Sequence, residues 1–203
     1  RLKGVAKSRV GAQMAVVKIL AKDYPGALKA LTISESDDPP PELATQRRHL
    51  NARALIGMGE TPEALALIEE DTSLEAEKLR TEAYWSLGDW PRTAQSLREL
   101  VRSSGAKPGQ ELSQEQALYI LNYAIALTLG GNDRGLLQLR QDYREGMIKA
   151  NFGDAFTLIA APEQFGLIKY DSIAARVRVA ENFREFMTSY KKRLADGGLS
   201  SIN

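Results

Sequence analysis

His49 is the only histidine in the chain, and it sits among Gln46, Arg47, Arg48 and Asn51. An imidazole in such company could act as a general base. Catalysis, however, needs a nucleophile and an orienting group arranged around that base. The chain has no cysteine, and no serine lies in a nucleophile-elbow context. His49 therefore reads as a surface or interface histidine, and no enzyme activity is expected. Gly130-Gly131-Asn132-Asp133-Arg134-Gly135 has the glycine content of a phosphate cradle. It lacks the lysine and spacing of a P-loop and follows a helical pattern instead of a strand, so it reads as a helix-to-helix turn. Glu69-Glu70-Asp71 with Glu75 and Glu77 could attract a cation. Calcium loops alternate their ligands around a turn glycine, which this stretch does not do, and a solvated acidic turn is expected. A single histidine and no cysteine exclude zinc–thiolate and two-histidine sites, and no metal or cofactor is expected.

Composition narrows the class further. The 203 residues, 43% hydrophobic and 26% charged, suit one ordinary globular domain or one stretch of a repeat array. With 27 basic and 26 acidic residues the formal net charge is +1, which gives no global attraction to nucleic acid. The longest apolar run, Leu118 to Leu129, is interrupted by Asn122 and Thr128 and falls short of the roughly 18 residues of a membrane helix. Charge is nonetheless segregated along the chain. Arg1, Lys3, Lys7, Arg9, Lys18 and Lys22 meet no acid before Asp23, whereas Glu60 to Glu77 holds seven acids and no base. Such segregation can steer an encounter or set a stacking direction.

The elements that would position these residues recur. Asp23-Tyr24-Pro25-Gly26-Ala27-Leu28, Glu60-Thr61-Pro62-Glu63-Ala64-Leu65 and Asp89-Trp90-Pro91-Arg92-Thr93-Ala94 share one pattern, with a looser copy at Asn132-Asp133-Arg134-Gly135-Leu136. Proline is tolerated in the first helical turn, where its missing N–H has no acceptor. Each copy therefore predicts a helix start. A helical run ending in Gly59, Gly88 or Gly130-Gly131 precedes the last three copies, and glycine ends a helix at low cost. The unit is helix, tight turn, helix. Its prolines lie 37 residues (25 to 62) and 29 residues (62 to 91) apart, and an insertion near 103–112 lengthens the next interval. Thr72-x-x-Glu75 and Ser113-x-x-Gln116 fit capping boxes, Pro39-Pro40-Pro41 marks a link, and the opening helix, Leu2 to Ala21, carries the stripe Ala6, Val10, Met14, Val17 and Ala21.

The runs Ala83-Tyr84-Trp85-Ser86-Leu87-Gly88-Asp89-Trp90 and Ala54-Leu55-Ile56-Gly57-Met58-Gly59-Glu60 resemble tetratricopeptide repeats, whose period is about 34 residues. Trp90 and Tyr24 match the family's aromatic and Ala27 and Ala64 its small residue, while Thr61 and Thr93 depart from them. The resemblance implies an all-α, right-handed helical-hairpin solenoid, about four hairpins over residues 1–146. It also implies that first helices line a concave groove, where an asparagine holds the backbone or terminal carboxylate of a peptide. Asn122, two residues before the small Ala124 and flanked by Tyr119 and Tyr123, fits that placement, without clear clamp bases beside it. Trp85, Arg47, Arg48, Arg53, Lys78 and Glu82 are further groove candidates, because aromatics and arginine carry much interface energy.

Residues 147–203 read as a short helix over Asp154 to Ala160, a long capping helix over Ser172 to Leu194, and a frayed polar tail. The expected function is a scaffold that binds a protein or peptide partner. The alternative is an architectural, self-associating spacer. RNA-reading repeats need a recurring base-reading side chain, which is absent, and no nucleic acid is expected. The start at Arg1 reads as part of a longer bacterial protein, in the cytoplasm or in the periplasm and envelope.

Overall fold

A computed structural model describes residues 3–160. Every regular element among them is an α-helix: α1 (Gly4–Leu20), α2 (Tyr24–Ile33), α3 (Pro41–Met58), α4 (Thr61–Leu67), α5 (Leu74–Leu87), α6 (Trp90–Ser103), α7 (Gln114–Leu129), α8 (Asp133–Lys149) and α9 (Gly153–Ile159). These nine helices among the described residues are consistent with a helical repeat. The long helix and tail expected after Ser172 lie outside the described residues. Pro25, Pro62 and Pro91 each stand in the first turn of a helix. Gly59 and Gly88 end α3 and α5 in the left-handed region, at φ 83° and 68°, where a Cβ would be strained. Asp23, Asp89 and Asn132 accept hydrogen bonds from the exposed N–H groups of α2, α6 and α8. Ser113 and Gln116 form the expected capping box. The other expected box does not form: Ser73, not Thr72, caps α5, which puts Ala76 at the third helical position, and the Glu75 carboxylate turns to Arg53.

Packing divides the described residues into two units, 3–88 and 89–160. In the first, α1 packs on α2 and α3, α3 on α2, α4 and α5, and α4 on α5. The stripe read along α1 faces solvent: Val10, Met14 and Val17 are 44%, 47% and 60% exposed. The buried side is Ser8, Gly11, Ala12, Ala15 and Ile19. Small side chains let α2 approach so closely that a Cβ on Gly11 would lie 1.7 Å from the Ser34 hydroxyl oxygen. Tyr24 similarly lies over Gly57, where a Cβ would meet its ring at 2.4 Å.

In the second unit α7 packs against α6, α8 and α9. Ala117, Ile120, Leu121, Ala124, Ile125, Ala126 and Leu127 are all buried, so α7 is enclosed nearly all round. The expected insertion is a strap seated on α8. The Gly109 N–H donates to the Asp142 carbonyl at 3.2 Å, and the Tyr143 hydroxyl donates to the Ala106 carbonyl at 3.4 Å. Gly146 makes room for it, since a Cβ there would lie 2.8 Å from the Gln110 carbonyl oxygen.

Candidate functional site

The candidate residues fall into three groups, two in the first unit and one in the second. The first group joins helices. Arg47 projects from the second turn of α3 and donates to the Ser8 carbonyl at 2.8 Å, the Ser34 hydroxyl at 3.0 Å and the Leu31 carbonyl at 2.5 Å. The last carbonyls of a helix have no intrahelical donor, and a guanidinium near them also meets the negative end of the helix dipole. Arg47 thus closes the end of α2 and ties α1 and α2 to α3. Arg80, which the sequence reading did not single out, does the same for α4. It reaches back from α5 to the Ile68 carbonyl at 2.8 Å and to the Asp71 carbonyl, and its other nitrogen pairs with Glu77 at 2.8 Å. Arg47 and Arg80 are each the seventh residue of their helices and lie 33 residues apart (47 to 80). That spacing was the available sequence signal.

Arg48 and His49 meet at one carboxylate. Asp71 Oδ2 accepts from Arg48 at 2.9 Å and lies 2.8 Å from His49 Nε2, while Oδ1 accepts from the Ser73 N–H at 3.0 Å. The Asp71 side chain is only 9% exposed. The hydroxyl and N–H of Ser73, then His49 and Arg48, hold its carboxyl far below the ordinary carboxylate range, against the opposing effect of burial. Ser73 turns its hydroxyl to this carboxylate and to the start of α5. The Ser73 hydroxyl thus serves both the turn and the cap of α5. The chemistry of this cluster is to hold the α4–α5 turn against α3. Arg53 extends it by pairing with Glu75 at 2.9 Å. Three of the seven acids between Glu60 and Glu77 are therefore engaged by arginines, and Glu60, Glu63, Glu69 and Glu70 are exposed.

The second group lies along α5. Glu75, Lys78, Glu82 and Trp85 recur at helical spacing on one side of the helix, and all four are half-buried. The buried Ala76, Leu79 and Ala83 lie on the adjoining side, about 100° round the helix. Lys78, Glu82 and Trp85 are thus brought together on one stripe, with Arg53 of α3 joined to its first residue.

The third group is on α7, and its surroundings are interior. Asn122 is 0% and Tyr119 2% exposed, and the Tyr119 hydroxyl donates to Glu115 at 2.5 Å. Tyr123 is half-buried. Burial raises its pKa, with Arg98 opposing; burial, Asp142 and Tyr123 raise that of Tyr143. Among the described residues no three carboxylates or imidazoles are disposed to hold a metal ion, and no helix is long and apolar enough to cross a membrane. Comparison of the chain with protein-family models, with curated proteins and with solved structures returns no match.

Proposed function

We propose that this chain is a non-catalytic binding scaffold, a right-handed tetratricopeptide-like array of helical hairpins that holds a peptide or protein face against its first helices. The observation that carries the reading is the α5 stripe. Glu75, Lys78, Glu82 and Trp85 are partly open to solvent on one face of a helix whose adjoining side, Ala76, Leu79 and Ala83, is buried in the core. A tryptophan set among fixed charges combines the apolar area and the directional groups that interfaces concentrate. The rigid support matters as well, because side chains on a well-packed helix lose little freedom on binding. Arg48, His49 and Arg53 serve this surface by fixing α3 against the start of α5. Asn122 and Tyr119 are buried in the second unit and are not part of this stripe.

A photo-crosslinking residue at position 85 tests the reading. In a cell lysate it should capture a defined partner that the same residue at exposed position 95 does not capture. Trp85→Ala should then weaken that partner about 30-fold, the effect of an interface hot spot, and Lys78→Glu should weaken it further. Equal capture from both positions, or affinity unchanged in Trp85→Ala, would overturn the α5 site.

A further inference from the structure

The outward face of α1 has no structural role in the fold described above, yet it is the more hydrophobic of the two. Val10, Met14, Val17 and Leu20 recur at helical spacing and are 44% to 64% exposed. Exposed Lys7 and Arg9 edge this stripe, and the first 22 residues contain no acid. A contiguous apolar ridge rimmed by one sign of charge marks a contact surface. Its complement is present in the same chain. The exposed side of α4 and the turn after it present Ala66 and Leu67 between Glu63 and Glu70, all four exposed. These two carboxylates are not among the acids that Arg48, Arg53 and Arg80 engage.

We propose that the outward face of α1 docks on the acidic outward face of α4 in a second copy of this chain. Apolar side chains meet at the centre, and Lys7 and Arg9 face Glu63 and Glu70 at the rim. A symmetric α1-to-α1 pair is disfavoured, because it would place bases against bases. The contact joins two different patches, so it is head-to-tail, and each copy keeps one of each patch open. Association therefore continues beyond a dimer unless a ring closes. The surface is separate from the α5 stripe, and its failure would leave the binding-scaffold reading untouched.

Sedimentation velocity of the intact chain over a range of concentrations, at low and high salt, tests this. The average mass should climb with concentration at low salt and fall back as salt screens the rim. Glu63→Lys with Glu70→Lys should weaken association about tenfold, as should Lys7→Glu with Arg9→Glu. The two reversed proteins mixed together should associate better than either alone, because one then carries two basic faces and the other two acidic ones. A single chain bearing all four reversals should regain association. Circular dichroism verifies that these exposed substitutions leave the helices intact. A monomer at every concentration, or association indifferent to charge reversal, would overturn the proposal. So would a monomer that co-sediments with phosphatidylserine vesicles through Lys7 and Arg9, which would assign the α1 face to a lipid surface.

Discussion

The two units solve the same problem, joining one helical hairpin to the next, with different materials. In the first, the buried sides of α1, α3 and α5 are rich in alanine, with Gly11 on α1, and guanidinium groups close the joints. Arg47 caps α2 and Arg80 caps α4. In the second, α7 is enclosed by apolar side chains, and the corresponding tie is a neutral amide, with Gln116 donating to the Ser104 carbonyl at 2.8 Å. The seventh residue of α7 is Ile120, fully buried, where α3 and α5 carry arginine. Directional bonds fix a helix's position where little apolar area is available, whereas an enclosed apolar helix is held chiefly by area. The difference shows how one repeat pattern can degenerate without losing its joints.

The largest effects should come from breaking each joint by its own material. Arg47→Met keeps the side-chain length but leaves the Leu31 and Ser8 carbonyls without their donor, and should cost about 3 kcal/mol in chemical denaturation. Ile120→Ala should cost about the same by leaving a cavity. The two should differ in rescue: Arg47→Lys recovers only part of the loss, because an ammonium cannot span three acceptors as a planar fork does, whereas Ile120→Val recovers most of it. Equal rescue at both positions would show that the two joints do not differ in this way.

Close approach gives the next effect. Gly11→Ala should destabilise by about 2 kcal/mol, because its Cβ meets Ser34 at the heart of the α1–α2 contact. Gly146→Ala should cost less, about 1 kcal/mol, since the strap carrying Gln110 and Leu112 can shift. Hydrogen exchange at residues 105–112 would rise in the second variant alone.

The smallest effect is a pH dependence confined to the first unit. The Asp71 pKa is lowered in the fold below its unfolded value of 3.8. Its contribution is therefore complete above that value and declines as pH falls through and below it. Asp71→Asn should lower stability at neutral pH and flatten the acid limb of the stability profile, with no change in hydrogen exchange across α7. A variant whose acid limb matches the wild type would show that Asp71 is not the group responsible.

Legibility in the sequence followed locality. Pro25, Pro62 and Pro91 announced helix starts because the missing N–H has one favourable place in a helix. Gly59 and Gly88 announced helix ends because they take positive φ. The Ser113–Gln116 box was readable because both bonds lie within three residues. The Thr72–Glu75 box was misread because its glutamate is engaged by Arg53, 22 residues away. Arg47 drew attention as a contact residue, yet its partners on α1 and α2 are 39, 16 and 13 residues distant. Asn122 looked like a groove residue because its neighbours on α7 matched a motif, and periodicity does not reveal that α6, α8 and α9 enclose that helix.

The sequence by itself determined the helices, their starts and stops, and the recurrence of the helical hairpin, because dihedral preference, capping and turn chemistry act within a few residues. Only the tertiary structure decided which face of α1 is buried, which charges tie helices together and which remain at the surface. Those outcomes depend on how closely two backbones approach. That distance is set by the side chains of both partners at once, so neither helix encodes it alone.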